Sequence, residues 1–441
     1  MQNETQFSFD DSNNPLIQNV VLKRPEQFAL GEYPGVSLHL LVKNGEGCVG
    51  RLLTNIGPYI EEIVAVVNDT TDRTISILQE YAEFRGMGFR LDIIGVTSES
   101  HPELYLMDVP ETYAIGRPLA GESYAGPFTG EPLLADWAAV RNLGWKRCTK
   151  EWILFLDADD VVRDPESIPG LCMALKDRDV ELGCSRYVYG RTEDGESMSE
   201  SYRERLVKNL PHISWTGIVH EILVGQRKTA YIENSLVVTD MKDNFGSKVR
   251  LPGRCFKILY HDARQRDWQI SPRNLVYLAM EARLAQPDIS LAALDRYLDV
   301  SLWPEERAWA CAMAGEIHEK REEYTKASEW YERSLAEHPG PKSAFRLCRS
   351  RFHEGKWQES VDAYNLGIGG PYGLQLIDNG PVYGDMSKIL AAAALDKLGR
   401  LEDAVDMCRE AVKAFPTNSM LQLMLEHLEK QYKLSQGSAG G

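Results

Sequence analysis

The chain has 441 residues, a formal net charge of −16 and a hydrophobic content of 43%. That length leaves room for two or three domains with sizeable cores, and the acidic balance argues against a broad nucleic-acid-binding face. The eight cysteines are scattered with no Cys-x-x-Cys pair, so they read as buried free thiols of a reducing compartment, not as a disulfide framework or a zinc site. The N-terminus is polar and acidic, unlike a signal peptide, and no apolar run is long enough to span a membrane. The expected location is cytoplasmic.

In chain order, residues 1–34 read as an N-terminal arm with one apolar patch, Leu16–Leu22. Val36–Val42 is an apolar, β-rich run that ends in the turn Lys43–Gly47. Cys48–Tyr59 carries helical spacing, and Ile63–Val67 is a second buried strand. Asn68-Asp-Thr-Thr-Asp72 follows, with Thr71 or Asp72 placed to cap a helix over Thr74–Phe84. Phe89–Val96 is a third strand. This β-α-β-α-β alternation predicts a parallel sheet.

Residues 97–134 break the alternation and are rich in Pro, Gly, Tyr and Glu. A loop this long inside a compact domain is usually a lid or binding loop. Its Gly116, Gly121, Gly126 and Gly130 allow rearrangement, and its Tyr113, Tyr124 and Phe128 suit covering a sugar or a base.

Asp136–Arg147 reads as a helix that feeds a short buried strand, Trp152–Leu156. A strand apolar at every position needs both faces covered. It runs straight into Asp157, Asp159 and Asp160, at the carboxyl end of a strand, where open α/β sheets bind ligands. Oxygen ligands this closely spaced suit a hard divalent cation, Mg²⁺ or Mn²⁺, and such a cation suits a diphosphate.

Asp136-Trp-Ala-Ala-Val-Arg-Asn142 followed by Trp152-Ile-Leu-Phe-Leu-Asp-Ala-Asp-Asp160 resembles the heart of a glycosyltransferase family 2 enzyme of the GT-A fold. Val36–Asn44 resembles that family's first strand, and Asn68–Thr74 its second nucleotide loop. Tyr202–Asn209 with Trp215-Thr-Gly-Ile-Val-His-Glu221 resembles the closing segment of a subgroup with C-terminal helical repeats. The peptide S-glycosyltransferases of bacteriocin synthesis are one member. The resemblance covers roughly residues 36–225, with five motifs in order.

The resemblance implies a metal-dependent, inverting transfer from a nucleotide-sugar, a UDP-sugar, by single displacement. Asp157 would hold the ribose side of the nucleotide, beside Ala158, and Asp159 would ligate the metal. His220 would be the distant metal ligand, and an imidazole suits Mn²⁺ better than Mg²⁺. Asp160, Trp215 and Arg205 would support these groups from behind, with Asp160 a further ligand in one variant. Glu221 would be the general base. Val42, Asn44, Asn68, Asp69, Asp72, Asp136 and Arg141 would line the nucleotide.

Structural readings compete with these roles. By residue type alone His220 is a packed core histidine. Glu221 also suits a salt bridge to Arg203 or Arg205, and Asp136 and Arg141 suit a cap and brace of their own helix. The family places an Asp one step after its second strand to hold uracil. An ungapped match puts Val67 there, with Asn68 or Asp69 as substitutes through a shifted turn.

Residues 241–270 read as a connecting segment after an α/β domain over 35–240, with strand-like and helical pieces at Ala230–Thr239 and Arg254–His261. From Ser271 the composition turns helical. Ala293/Tyr297, Ala327/Tyr331, Ser360/Tyr364 and Ala404/Cys408 mark four units, at spacings of 34, 33 and 44 residues. A period near 34 is the tetratricopeptide signature, and the longer spacing holds the insert 367–384. The repeats are expected over 271–435, before a flexible tail, 436–441. Trp303, Trp309, Trp330 and Trp357 read as packing residues.

The predicted architecture is thus a Rossmann-like GT-A domain, its sheet mostly parallel, followed by all-α tetratricopeptide-like repeats. The expected acceptor is a protein or peptide side chain, because repeat solenoids offer concave surfaces suited to peptides or to self-association as a homo-oligomer. A modified DNA base, a glycan or a small metabolite remains open as acceptor, as does an inert repeat scaffold.

Overall fold

The structure is a computed structural model that describes residues 33–106, 132–189, 200–232, 235–240, 253–370, 384–416 and 418–438. Nearly all of the N-terminal arm, most of the loop 97–134 with its named aromatics and glycines, much of the insert 367–384 and the last residues of the tail lie outside that description. The chain divides into two compact units, with the boundary between Ile258 and Leu259.

The first unit is built on one mixed sheet. Its strands are β1 (Val36–Val42), β2 (Glu62–Asn68), β3 (Arg90–Val96), β6 (Trp152–Phe155), β7 (Asp160–Val162), β8 (Leu182–Tyr189), β9 (Glu200–Lys208), β12 (Thr229–Ile232) and β13 (Val238–Asp240). They lie in the order β3-β2-β1-β6-β9-β8-β13-β7, with β12 added on β8. The parallel run expected from the sequence is β3-β2-β1-β6. Beyond β6 the direction changes, because β9 pairs antiparallel with both β6 and β8. Only residues 190–199 join β8 to β9, and a connection that short favours an antiparallel neighbour over a parallel crossover.

Alternation in β1 divides two cores. Leu38 and Leu40 face one side with Leu52, Leu53 and Ile56 of α1 (Val49–Ile56), Leu78 and Tyr81 of α2 (Thr74–Arg85), Ile168 and Leu175 of α4 (Ile168–Asp177), and Trp152 and Leu154. On the other side Val64, Val66, Ile153 and Phe155 pack on Val140 and Trp145 of α3 (Trp137–Trp145) and on Trp215. Trp215 belongs to a small hairpin, β10 (Ser214–Thr216) and β11 (Ile222–Val224), and a second short ladder pairs β4 (Tyr105–Leu106) with β5 (Leu133–Leu134). Truncating a fully buried residue such as Trp152 or Leu154 to Ala costs about 2–5 kcal/mol in such a core. Among the described residues no helix is long and apolar enough to cross a membrane, and all eight cysteines are free, with Cys255 alone not fully buried.

After α5 (Arg254–Gln265), the second unit is a tetratricopeptide-like run of antiparallel helix pairs. The pairs are α6 (Pro272–Ala282) with α7 (Pro287–Val300), α8 (Pro304–Lys320) with α9 (Tyr324–Glu337), α10 (Pro341–His353) with α11 (Trp357–Gly369), and α12 (Gly384–Lys397) with α13 (Leu401–Ala414). α14 (Ser419–Ser438) closes the run. The small-plus-aromatic markers fall on the second helix of each pair, and all are buried. The reason is a close approach: a Cβ on Gly315 of α8 would stand 2.5 Å from the Tyr331 ring of α9. Of the tryptophans expected to pack, Trp357 meets the Phe352 ring edge-on at 5.1 Å, whereas Trp303 is 48% exposed.

Candidate functional site

The carboxyl ends of β1, β2 and β6 bring most of the expected site residues to one rim of the sheet. Asn44 sits just past β1 at φ 48°, and its side-chain oxygen accepts the Thr71 amide at 2.8 Å. Asp72 accepts the amides of Glu46 (2.9 Å) and Thr74 (3.0 Å), so it joins the two turns just ahead of α2, whose N-cap position is Arg73 and not the expected Thr71 or Asp72. Val42 and Ala158 pack with Cys48 and Val67 as an apolar floor beneath these turns.

At the β2 corner, Asn68 closes the strand and Asp69 is the first residue beyond it, at φ 42°. Val67 lies inside the strand and is buried. The Tyr105 hydroxyl donates towards the carboxylate of Asp69 (3.0 Å), with Asn68 Oδ1 and the Val96 carbonyl both at 3.3 Å. Burial and the Asp69 carboxylate push that phenol well above its ordinary range. Lys43 approaches Asp69 at 4.0 Å.

The acidic turn after β6 is held from below. Arg51 of α1 donates to the Asp159 carbonyl at 2.8 Å. Asp160 is fully buried and accepts the Asp157 amide (2.9 Å) and the Tyr187 hydroxyl (2.8 Å), with the Arg205 guanidinium at 3.6 Å. Burial raises the pKa of Asp160, and Arg205 acts against that rise. This aspartate therefore braces the turn from inside, while the Asp157 side chain is 32% exposed on its upper side.

α3 supplies the other wall. Asp136 is its N-cap and accepts the Ala139 amide at 2.8 Å. Arg141 reaches out of the helix between the rings of Phe155 (4.4 Å) and Trp215 (5.2 Å). Its Nε donates to Glu221 at 2.6 Å and its Nη2 lies 3.8 Å from Asp157. The ion-pair partner of Glu221 is thus Arg141, and neither Arg203 nor Arg205. Arg141 Nη1 is buried with no hydrogen-bond partner among the described residues. Asn142 brackets the main chain of Trp215, donating to its carbonyl at 2.8 Å and accepting its amide at 2.9 Å. The turn carrying His220 is tied to α3 by the Trp137 amide, which donates to the Ile218 carbonyl at 2.9 Å. His220 itself has φ 52°.

Arg141, Asp157 and Glu221 are therefore brought together. Asp157, Asp159 and His220 do not gather three ligand atoms within 4.8 Å of one another. The donor set itself, two carboxylates on one turn, fits a hard divalent cation. Contributors not singled out from the sequence include Arg51, His39, Tyr105, Phe155 and Tyr187. His39 had a visible signal, an ionisable residue in a strand with no other ionisable group. The three aromatics look like ordinary core residues until the fold places them.

Residues 135–229 match the family model described as "Glycosyl transferase family 2". The chain carries a family 2 glycosyltransferase domain. The matched stretch contains α3, the acidic turn, β8, β9 and the His220–Glu221 turn, while the turns after β1 and β2 lie outside it. No curated protein matches the chain. Among solved structures, the crystal structure of MamA is 16% identical, covering 39% of this chain and 95% of that one at a TM-score of 0.32. The crystal structure of YrrB, "a TPR protein with an unusual peptide-binding site", is 12% identical over 40% and 84%, at 0.32. The Arabidopsis OM64 TPR domain is 16% identical over 29% and 98%, at 0.25.

Proposed function

We propose that this chain is a metal-dependent, inverting glycosyltransferase that moves a sugar from a UDP-sugar to a protein or peptide side chain. The observation that carries the proposal is the convergence of Asp157, Arg141 and Glu221 at the carboxyl end of β6. A carboxylate for the nucleotide, a buried cation and a second carboxylate meet there, at the place where open α/β sheets hold ligands.

Asp157 holds the nucleotide side of the donor, with Asn68 and Asp69 facing the base. Asp69, first beyond β2, takes the position that an ungapped match gave to Val67. Asp159, with His220 as the distant ligand, would hold a divalent cation beside Asp157. Such an ion supplies Lewis-acid charge to a departing diphosphate. Glu221 takes the acceptor's proton as the acceptor attacks the anomeric carbon. Arg141 engages Oε1 of Glu221, and its second oxygen carries no hydrogen bond among the described residues. The nucleoside diphosphate leaves from the opposite face, which inverts the configuration. The concave face that helix repeats commonly form suits a peptide acceptor.

The test is incubation of the full chain with a panel of nucleotide-sugars, Mn²⁺ and candidate acceptors, read by nucleotide release and by the mass of the acceptor. Transfer from a UDP-sugar that is lost in Asp159→Ala and in EDTA is the expected result. Full activity in EDTA sinks the metal assignment, and no transfer or hydrolysis of any nucleotide-sugar sinks the enzyme.

A further inference from the structure

We propose that His39 is a positioning residue of the donor site, acting through the main chain of Arg141; this rests on the reading that Arg141 serves the nucleotide-sugar. His39 lies in the middle of β1, paired with Val64 of β2 and Phe155 of β6, and is wholly buried. Its Nε2 stands 3.0 Å from the Arg141 carbonyl oxygen. A carbonyl only accepts, so Nε2 carries the hydrogen and Nδ1 is bare. Nδ1 has no partner among the described residues. Burial, then the nearby Arg141 guanidinium, lower the imidazole pKa to about 3, so the ring stays neutral and this tautomer persists.

The ring fits a slot made by α3. Trp145 meets it edge-on at 5.6 Å, and a Cβ on Gly144 would stand 2.7 Å from Nε2. The bond therefore pegs α3 against the sheet one residue before the bracket that Asn142 makes around Trp215. At those two attachments the Arg141 side chain lies across Phe155 toward Asp157 and Glu221. An unsatisfied buried acceptor such as Nδ1 is destabilising. An aliphatic residue would avoid that cost and would not supply the donated N–H.

The readout is the affinity of the full chain for UDP in Mn²⁺ by calorimetry, with thermal unfolding measured alongside. Arg141→Met should weaken UDP binding about tenfold, as expected for loss of a charge-assisted contact. His39→Leu should weaken it about fivefold when Arg141 is present and less than about twofold in the Arg141→Met background, because residues acting through one another are not additive. His39→Gln, whose amide N–H replaces the imidazole's, should stay within about twofold of the parent. Equal factors for His39→Leu in both backgrounds overturn the proposal and leave His39 a core residue. Unchanged affinity in Arg141→Met overturns it at the Arg141 link while sparing the enzyme. No UDP binding by the parent removes the donor reading and this proposal with it. If His39→Leu does not fold, His39→Asn, whose shorter amide falls short of the carbonyl, takes its place in the cycle.

Discussion

The two ends of the same sheet use the same residue types to opposite effect. At the amino end, Glu62 is a fully buried carboxylate. One of its oxygens accepts from the Ser37 hydroxyl and from the Thr149 amide at 2.5 Å. The other accepts from the Thr149 hydroxyl at 2.6 Å and from Arg90 at 2.7 Å. Arg90 is shared with Asp92 at 2.7 Å. Burial by itself would raise the Glu62 pKa, and these donors outweigh it and lower it. At the carboxyl end, Asp157 is part exposed, Arg141 keeps a buried N–H unspent, and Glu221 is engaged through one oxygen. A closed network leaves nothing for a ligand to complete. An open one, buried yet unfinished, is what a binding site looks like before its ligand arrives.

The comparison breaks most visibly at Glu221. Glu221→Gln keeps the size and a bond to Arg141 but loses the basicity, so kcat for transfer should fall about 10²–10⁴-fold, with UDP affinity within about threefold of the parent. A variant that binds donor poorly yet turns over normally would make Glu221 a brace like Glu62. The converse change is Glu62→Gln, which removes one charge from a closed network. It should cost about 3 kcal/mol in denaturant unfolding and leave UDP affinity unchanged. Loss of UDP binding at unchanged stability would dissolve the distinction between the two ends.

Two smaller effects sharpen the contrast along α3. Gly144→Ala must push the helix off His39 and Val66, each 2.7 Å from the added carbon. It should cost about 1–3 kcal/mol, as overpacked cores do, and weaken UDP binding as well. Normal affinity in a destabilised variant would uncouple α3 placement from the donor site. The smallest effect is a pH dependence. His39 has its pKa lowered to about 3 in the folded chain. The unfolded chain therefore binds more protons between about pH 6.5 and that value, and stability falls as the pH falls through that window. Near pH 5.5 the loss should be about 1.4 kcal/mol, and His39→Gln should abolish that part of it. Asp157 and Arg141 face the same ring and must be held constant in the comparison.

Much of this fold was legible in the sequence because its signals are local. β1, β2 and β6 are runs of apolar residues, and a run needs no partner to be recognised. Asp157-Ala-Asp159 announces itself in the same way. β9 was not legible as a central strand. Tyr202-Arg-Glu-Arg205 puts polar groups at successive positions, and its place between β6 and β8 is decided by pairing across the sheet. The contact between Arg141 and Glu221 spans 80 residues of sequence, and no spacing rule reaches that far. The repeats were readable for the opposite reason. Their period writes one short pattern several times, so Tyr297, Tyr331 and Tyr364 confirm one another.

That repetition has a thermodynamic consequence. Each helix pair of the second unit leans mainly on its sequence neighbours, so its resistance to unfolding is a chain of local terms with no single keystone. The α/β unit, by contrast, has cores threaded by strands from distant parts of the sequence and must give way as a block. Heating such a molecule does not pass through one transition between two states. Helical circular dichroism follows the array, which can unravel from the α14 end, while Trp152, wholly enclosed at the centre of the sheet, changes environment only when the block itself opens.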